Sequence, residues 1–412
     1  AHYNYPENLD DQRKLNLDKT TQMLQVFSNL FGPYPFLTEK YGHAEFGWGG
    51  GMEHQTISSM GSFGESIVAH ELAHQWFGDK ITCKDWQNIW LNEGFATYSE
   101  ALFVEAAYGK VAYHNYIQNE MGSSDKWWTA KGAVGSIYVQ NINSIGEIFN
   151  GARSYSKGAT VLHMLRKVIG DENFFNSLKT YLASPSLAYN VATTEDFKNV
   201  CEAVSQMDLD YFFNEWIYGE NYPNYSYNWG FKDLGNNQFS IQLNLNQRQN
   251  SNPTFFTMPI DIRVNTTLGD TTLPIFNDQQ IQNFDFIVLG QPNSLEVDPE
   301  IWILRDVVNT TTSVNENNLT EQFQLYQNYP NPFNPSTIIK FTIPSSANDK
   351  LRTVLLKVYD VLGNEITTLV NEIKSPGNYE VQFDASNLSN GVYYYKLSTG
   401  NFVQVKKMML LK

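Results

Sequence analysis

The stretch Ser62-Phe-Gly-Glu65-Ser-Ile-Val-Ala-His70-Glu71-Leu-Ala-His74-Gln-Trp-Phe-Gly78 decides how the rest of the chain is read. Its opening Ser62-x-x-Glu65 has the form of a capping box, in which side chains satisfy the first free N–H groups of a helix. Gly78 suits the left-handed position just past a helix end. The segment therefore predicts a helix from about Phe63 to Phe77. A spacing of four puts the rings of His70 and His74 on one face, about 40° apart around the axis. Two imidazole nitrogens so placed can reach one Zn²⁺ at ~2.0–2.1 Å. Glu71, about 100° further round, is poorly placed to ligate but well placed to accept a proton from water at the metal.

Catalytic zinc needs a third protein ligand and an open position. The candidate is Glu93 in Trp90-Leu-Asn-Glu93-Gly-Phe-Ala-Thr-Tyr-Ser-Glu100, which opens a second helix running to about Tyr108 before Gly109. Eighteen residues separate His74 from Glu93, enough for a loop and an antiparallel return. Glu100, seven residues on and on the same face, is a fair hydrogen-bond partner for a zinc-binding histidine. The bland alternative is a pair of histidines bonded to backbone. It leaves unexplained why Glu71 and Glu93 sit in apolar, Trp-rich surroundings, so the metal reading is preferred.

The chain around these helices has 412 residues, 42% hydrophobic and 17% charged, with a net charge of −15. At roughly 100–200 residues per domain this predicts several domains. The acidic balance argues against nucleic-acid binding and suits solubility. No run of about 18 or more apolar residues occurs, so no transmembrane segment is expected. Two cysteines, Cys83 and Cys201, exclude a disulfide framework and leave one bridge open. The chain opens on Ala1 with no basic stretch followed by an apolar core, so no signal peptide is expected in it.

Residues 1–222 read as mostly helical; Ala159–Ile169 has apolar residues at helical spacing and stops at Gly170. Over 223–306 the period changes to two, as in Phe239-Ser-Ile-Gln-Leu-Asn-Leu245 after the turn residues Gly235-Asn-Asn, and predicts a β-sandwich. Residues 307–322, polar and rich in Thr and Asn, read as a linker. Residues 323–412 read as a separate all-β unit carrying +3 against −18 for the preceding part.

The pattern His70-Glu-x-x-His74, eighteen residues, then Asn92-Glu93-Gly-Phe-Ala resembles the zinc aminopeptidases related to aminopeptidase N and leukotriene hydrolase. Gly50-Gly51-Met52-Glu53-His54 is similar to that family's G-x-M-E-N exopeptidase motif, and Tyr155-Ser-Lys-Gly158 to its Y-x-K-G segment. The resemblance implies a mainly helical, thermolysin-like catalytic domain followed by an immunoglobulin-like β-sandwich. It implies one Zn²⁺ per chain on His70, His74 and Glu93, with Glu71 as the base. Glu53 would anchor the substrate's free ammonium, Gly50, Gly51 and Met52 in its Gly-rich approach suit an edge strand against which the peptide backbone can pair, and Tyr155 would donate to the oxyanion. Two departures stand out: His54 replaces the family's Asn, and the family's β-rich N-terminal domain is missing. The chain is therefore expected to be truncated, with an apolar face of the catalytic domain uncovered.

In the tail, Tyr326-Gln-Asn-Tyr-Pro-Asn-Pro-Phe-Asn-Pro335 is followed by alternating strands, Gly391-Val-Tyr-Tyr-Tyr-Lys396 and a terminal Lys. This order resembles the C-terminal sorting domain of the type IX secretion system, a second immunoglobulin-like sandwich. It implies the type IX secretion machinery as a partner and a protein secreted or attached at the exterior of the bacterial outer membrane. The expected function is a secreted zinc aminopeptidase acting on peptides with a free N-terminus. The alternatives are a zinc endopeptidase on the same helices, or a weakly active or non-catalytic surface-binding fragment.

Overall fold

A computed structural model describes residues 1–5, 10–123, 129–249, 251–311, 323–343, 352–374, 377–400 and 402–411. The chain forms two compact units, Ala1–Glu316 and Asn317–Lys412. The first unit opens with β1 (His2–Tyr3), α1 (Asp11–Asp18), α2 (Thr20–Phe31), β2 (Gly42–Glu45), β3 (Gly51–Met52) and β4 (Ile57–Met60). These four strands make one sheet in the order β1-β2-β4-β3, with β3 at its edge. Beyond the edge strand expected before Glu53, which β3 provides, the sequence pattern did not anticipate this sheet, because strands of two to four residues are too short to show a period of two.

The helical part continues with α3 (Glu65–Ala73), β5 (Ile81–Cys83), α4 (Trp90–Tyr108), α5 (Lys110–Gln118), α6 (Ile145–Ile148), a π-helical stretch Gly151–Lys157, α7 (Gly158–Ile169), α8 (Asp171–Ala183), β6 (Asn190–Ala192), α9 (Thr194–Ser205) and α10 (Asp210–Phe213). α4 has the bounds the pattern predicts, stopped by Gly109 at φ +86°. Its first ten residues are all buried, so it is a central helix covered on every side rather than a surface one. α3 is shorter than the expected 63–77. Gly64 is its N-cap, with no side-chain cap bond, so the capping box does not form. Ser62 instead accepts a hydrogen bond at its hydroxyl from Gly50 N at 3.2 Å, and Glu65 pairs with Lys19.

The β-part of this unit comprises β7 (Asn224–Gly235), β8 (Gln238–Gln247), β9 (Met258–Thr266), β10 (Gly269–Asn277), β11 (Ile281–Leu289), β12 (Pro292–Val297) and β13 (Asp306–Asn309). They form two sheets, β10-β9-β12 and β11-β8-β7-β13. The β7–β8 hairpin turns at Asn236 and Asn237, both at positive φ, where an amide side chain tolerates the left-handed region. Along β8 buried and half-exposed residues alternate without a break, as the period of two requires. Residues 307–309, expected to open the linker, instead pair in parallel with Tyr225–Tyr227 of β7, and Val307 packs on the core. Thr310 N donates to Tyr227 O at 2.7 Å and Thr311 accepts from Trp229 N at 3.2 Å, while residues 312–322 of that expected linker lie outside the described residues. Cys83 and Cys201 are both buried and free.

The second unit has its own core. It is built from β14 (Gln324–Leu325), β15 (Ser336–Ile343), β16 (Arg352–Tyr359), β17 (Glu365–Lys374), β18 (Gly377–Asp384), β19 (Gly391–Thr399) and β20 (Phe402–Leu410). Its sheets run β14-β15-β18 and β17-β16-β19-β20.

Within the first unit, helices and sandwich meet at His163 of α7. Its ring is fully buried and stacks on Trp302, with centroids 4.5 Å apart and planes at 8°. Nδ1 accepts from the Tyr113 hydroxyl at 2.6 Å, and Nε2 faces Ile301 O at 3.4 Å, an arrangement that suits the neutral ring. Burial, then His114, pushes its pKa down to about 3. The unfolded chain takes up this proton near pH 6.5, so the stabilisation is complete above that value and lost as pH falls towards 3. Wild-type stability should therefore fall by on the order of 3–5 kcal/mol as pH drops through this window. In calorimetry of the full chain, His163→Gln should flatten the fall in the first unit's Tm between pH 6.5 and 4. Parallel curves for the two proteins would refute this.

Candidate active site

The first turns of α4 lie against the last turn of α3, and this crossing collects the polar residues that the sequence singled out. His70 Nε2 and His74 Nε2 each stand 3.4 Å from the same atom, Glu93 Oε2. Ligands held at ~2.0–2.1 Å on a tetrahedral ion lie about 3.3–3.4 Å apart. The three side chains are thus spaced as the faces of one metal site would be, and all three are buried. The other ring nitrogens are already engaged. His70 Nδ1 donates to Glu100 Oε1 at 2.9 Å and His74 Nδ1 donates to Phe77 O at 3.0 Å. That fixes both tautomers with the Nε2 lone pairs turned to Glu93.

Charge in this site is dense and poorly hydrated. Burial alone would lower the pKa of His70, but Glu100 and Glu93 outweigh it and hold the ring well above its ordinary value. His74 is likewise held at about 9, burial being overcome by Glu53 and Glu93. Glu93 goes the other way: burial opposes ionisation, yet His74 and His70 bring it down to about 2. The constellation demands positive charge between imidazoles and carboxylate, which protons or a divalent cation can supply. Glu71 differs from Glu93. Burial pushes it up to about 7, against the pull of His70 and His74, and its Oε2 has no hydrogen-bond partner. A carboxyl poised there suits exchange of protons with a substrate.

β3 passes directly over Glu71. A Cβ on Gly51 would lie 2.3 Å from Glu71 Oε1, so glycine is what lets the strand come this close. One oxygen of Glu53, one of Glu71 and a ring nitrogen of His74 lie within 4.8 Å of one another. Met52 beside them is 40% exposed at the cleft. His54 bonds Ser59 Oγ through Nδ1 at 3.0 Å, bracing the hairpin that carries Glu53. On the opposite side Tyr155 stacks against His70, with ring centroids 6.0 Å apart and planes at 13°. Burial, then Glu93 and Glu53, raises its phenol far above the usual range, so it remains a hydrogen-bond donor. Gly50, Gly51, Met52, Glu53, Glu71 and Tyr155 all line one cleft of 1260 Å³ with the three ligand candidates.

Several residues that pattern reading passed over belong to this cleft or brace it. Tyr116 of α5 donates to Glu100 Oε2 at 2.5 Å. Asn92 Oδ1 accepts from Cys83 N at 3.0 Å and ties the start of α4 to β5. Trp86 and Phe149, half-exposed, meet edge to face at 5.8 Å on the cleft wall. Only Thr97 carried a signal, standing four residues after Glu93 on the same helix face.

Two imidazoles and one carboxylate close enough to hold a cation thus stand beside a buried second carboxylate at the floor of a cleft, an arrangement of the kind metallopeptidases use. Residues 52–216 match the peptidase family M1 domain, and residues 327–411 match a secretion system C-terminal sorting domain. Both matches fall on the segments whose motifs carry the two resemblances. Aminopeptidase N of Lactococcus lactis subsp. lactis is 35% identical over 160 residues, 38% of this chain and 19% of that protein. Probable aminopeptidase 2 of Sulfurisphaera tokodaii is 34% identical over 160 residues, 38% of this chain and 20% of that one. The chain spans about a fifth of the length of these relatives. A crystal structure of Legionella pneumophila aminopeptidase A in complex with aspartic acid shares the fold, with TM-score 0.55 and 17% identity over 72% of this chain and 35% of that one.

α4 and the Tyr155 segment can approach because two glycines face each other. A Cβ on Gly158 would stand 2.9 Å from the Cα of Gly94, and one on Gly94 would stand 3.0 Å from the Cα of Gly158. Gly158→Ala should force the start of α7 away from α4, at a cost of about 1–3 kcal/mol. The expected result in chemical denaturation is a lower midpoint with an unchanged slope. A variant as stable as wild type would show that the helices have room to spare.

Proposed function

We propose that the chain is the catalytic and export portion of a secreted zinc aminopeptidase, which removes N-terminal residues from peptides. The observation that carries this reading is the pair of 3.4 Å separations from Glu93 Oε2 to the two Nε2 atoms, with the free Glu71 carboxylate alongside. His70, His74 and Glu93 would hold one Zn²⁺, which supplies a Lewis acid that polarises the scissile carbonyl and acidifies water.

The chain's own residues do the rest. Glu71 takes the proton from the attacking water and later delivers it to the departing amine. Tyr155 donates its hydroxyl to the oxygen of the reacting carbonyl as charge builds there. Glu53 receives the substrate's ammonium, and Gly50, Gly51 and Met52 offer an edge strand to the peptide backbone. Glu100 keeps His70 in its binding tautomer.

We read residues 1–222 as the catalytic domain and 223–306, completed by β13, as an immunoglobulin-like sandwich. Residues 323–412 would be a second such sandwich that the type IX secretion machinery recognises. That tail supports a location outside the cell, free or attached at the outer-membrane surface.

Hydrolysis of leucyl-p-nitroanilide by the zinc-loaded full chain tests the reading. Glu71→Gln should lower kcat by about 10²–10⁴-fold, and Tyr155→Phe by about 10²–10³-fold, with zinc content near one per chain in both. N-acetylation of an otherwise good peptide substrate should abolish its cleavage. Cleavage that survives acetylation would identify an endopeptidase instead.

A further inference from the structure

Glu53 opens the turn between β3 and β4, and the far end of that turn is fastened to the residue that follows His74. Thr56 N donates to Gln75 Oε1 at 2.8 Å, and the Tyr34 hydroxyl donates to the same oxygen at 3.3 Å. Gln75 Nε2 donates to Asp79 Oδ2 at 2.8 Å. Gln75 is wholly buried, so replacing it by an apolar residue would leave Thr56 N without this acceptor. Thr56 stands at φ +63°, a left-handed conformation that a β-branched residue adopts only when its surroundings impose it. β3 and β4 pair at only two positions, Gly51 with Met60 and Met52 with Ser59, so the turn is also held from outside. Gly42 N donates to Thr56 O at 3.0 Å, and the bond from Thr56 N to Gln75 ties the turn to the residue beside His74.

The consequence concerns register. In a peptide the α-nitrogen and the first carbonyl carbon are two bonds apart, about 2.5 Å. A group that grips the nitrogen selects the first peptide bond only if its distance from the metal is fixed to within a fraction of that length. We propose that Gln75 is the positioning residue that sets the distance between Glu53 and the ligands His70, His74 and Glu93, and so confines cleavage to the first bond. This rests on the aminopeptidase reading above.

The test uses the zinc-loaded full chain and two kinds of readout. The first is KM and kcat with leucyl-p-nitroanilide, together with zinc content. The second is calorimetric binding of leucinamide against 4-methylpentanamide, the same molecule without its amine. Gln75→Met keeps the side-chain length but leaves Thr56 N without an acceptor. It should raise KM about tenfold with kcat within about threefold and zinc unchanged, and cut the preference for the amine about tenfold.

Gln75→Glu alone sets a second carboxylate against Asp79 and should also fail. The Gln75→Glu/Asp79→Asn double variant reverses that hydrogen bond while keeping an acceptor for Thr56 N, and should return KM and amine preference to within about threefold of wild type. An unchanged KM and amine preference in Gln75→Met overturns the proposal. So does a loss of zinc or kcat in step with binding, because Gln75 would then be a packing residue. A wild type that prefers leucinamide yet turns nothing over would defeat the aminopeptidase reading, and the binding pair would still decide the role of Gln75.

Discussion

The site depends on two protons. Those on Nδ1 of His70 and His74 are held by Glu100 and by Phe77 O, so both Nε2 lone pairs are directed at Glu93. Much of the catalytic unit can be understood as what keeps these two hydrogen bonds in place. Phe77 O is available because α3 stops at Ala73 and the chain turns tightly from His74 to Gly78, which stands at φ +141°. Glu100 is available because α4 runs on for two turns past Glu93 and presents both carboxylates on one face. Tyr116 of α5 then holds the second oxygen of Glu100. A longer α3 or a shorter α4 would free one imidazole to rotate.

Electrostatics explains why this machinery sits inside a thick hydrophobic wrapping. Buried carboxylates and imidazoles are costly unless each charge has a partner. Here Glu93 and Glu100 are paired through the histidines, while Glu71 is left partly desolvated and pushed towards neutral pH. The two carboxylates on neighbouring helices thus acquire opposite properties from their surroundings: Glu93 is a firm anion and Glu71 a group that can gain or lose a proton.

How much of this was readable from the chain varied with sequence distance. His70, Glu71 and His74 lie within one turn and a half, so a helical period alone places them, and α4 announced its bounds by its apolar run and Gly109. Glu53 and Tyr155 needed motifs, since nothing in local periodicity says that residues so far from His70 in sequence share its cleft. The capping box at Ser62 failed because the serine had a stronger use, holding Gly50 over the site. Tyr116 and Gln75 were invisible for a plainer reason. A tyrosine on an amphipathic helix and a glutamine after a histidine look like ordinary packing and surface residues until tertiary contacts give them partners. Of the four-stranded sheet only its edge strand β3 was legible, from the glycines before Glu53; the other strands are too short to show a period.

The tail shows the same limit from the other side. Three prolines in Tyr326–Pro335 would, alone, mark an extended connector. In the structure this stretch is part of the sandwich. Asn328 N donates to the Tyr395 hydroxyl at 2.8 Å, and that hydroxyl donates to Tyr326 O at 2.8 Å. Phe333 is buried, its N–H bonded to Met409 O at 2.9 Å and its carbonyl accepting from Leu411 N at 3.1 Å. One buried phenol, one buried phenylalanine and two isolated bridges, Tyr329 with Ile338 and Phe333 with Leu410, thus make this segment a brace across β15, β19 and β20. Proline suits this role, since a chain fastened by side chains has least to lose from missing backbone donors and gains from fixed φ. The unit consequently closes a core built from its own residues, with Phe333 from the proline-rich stretch among them.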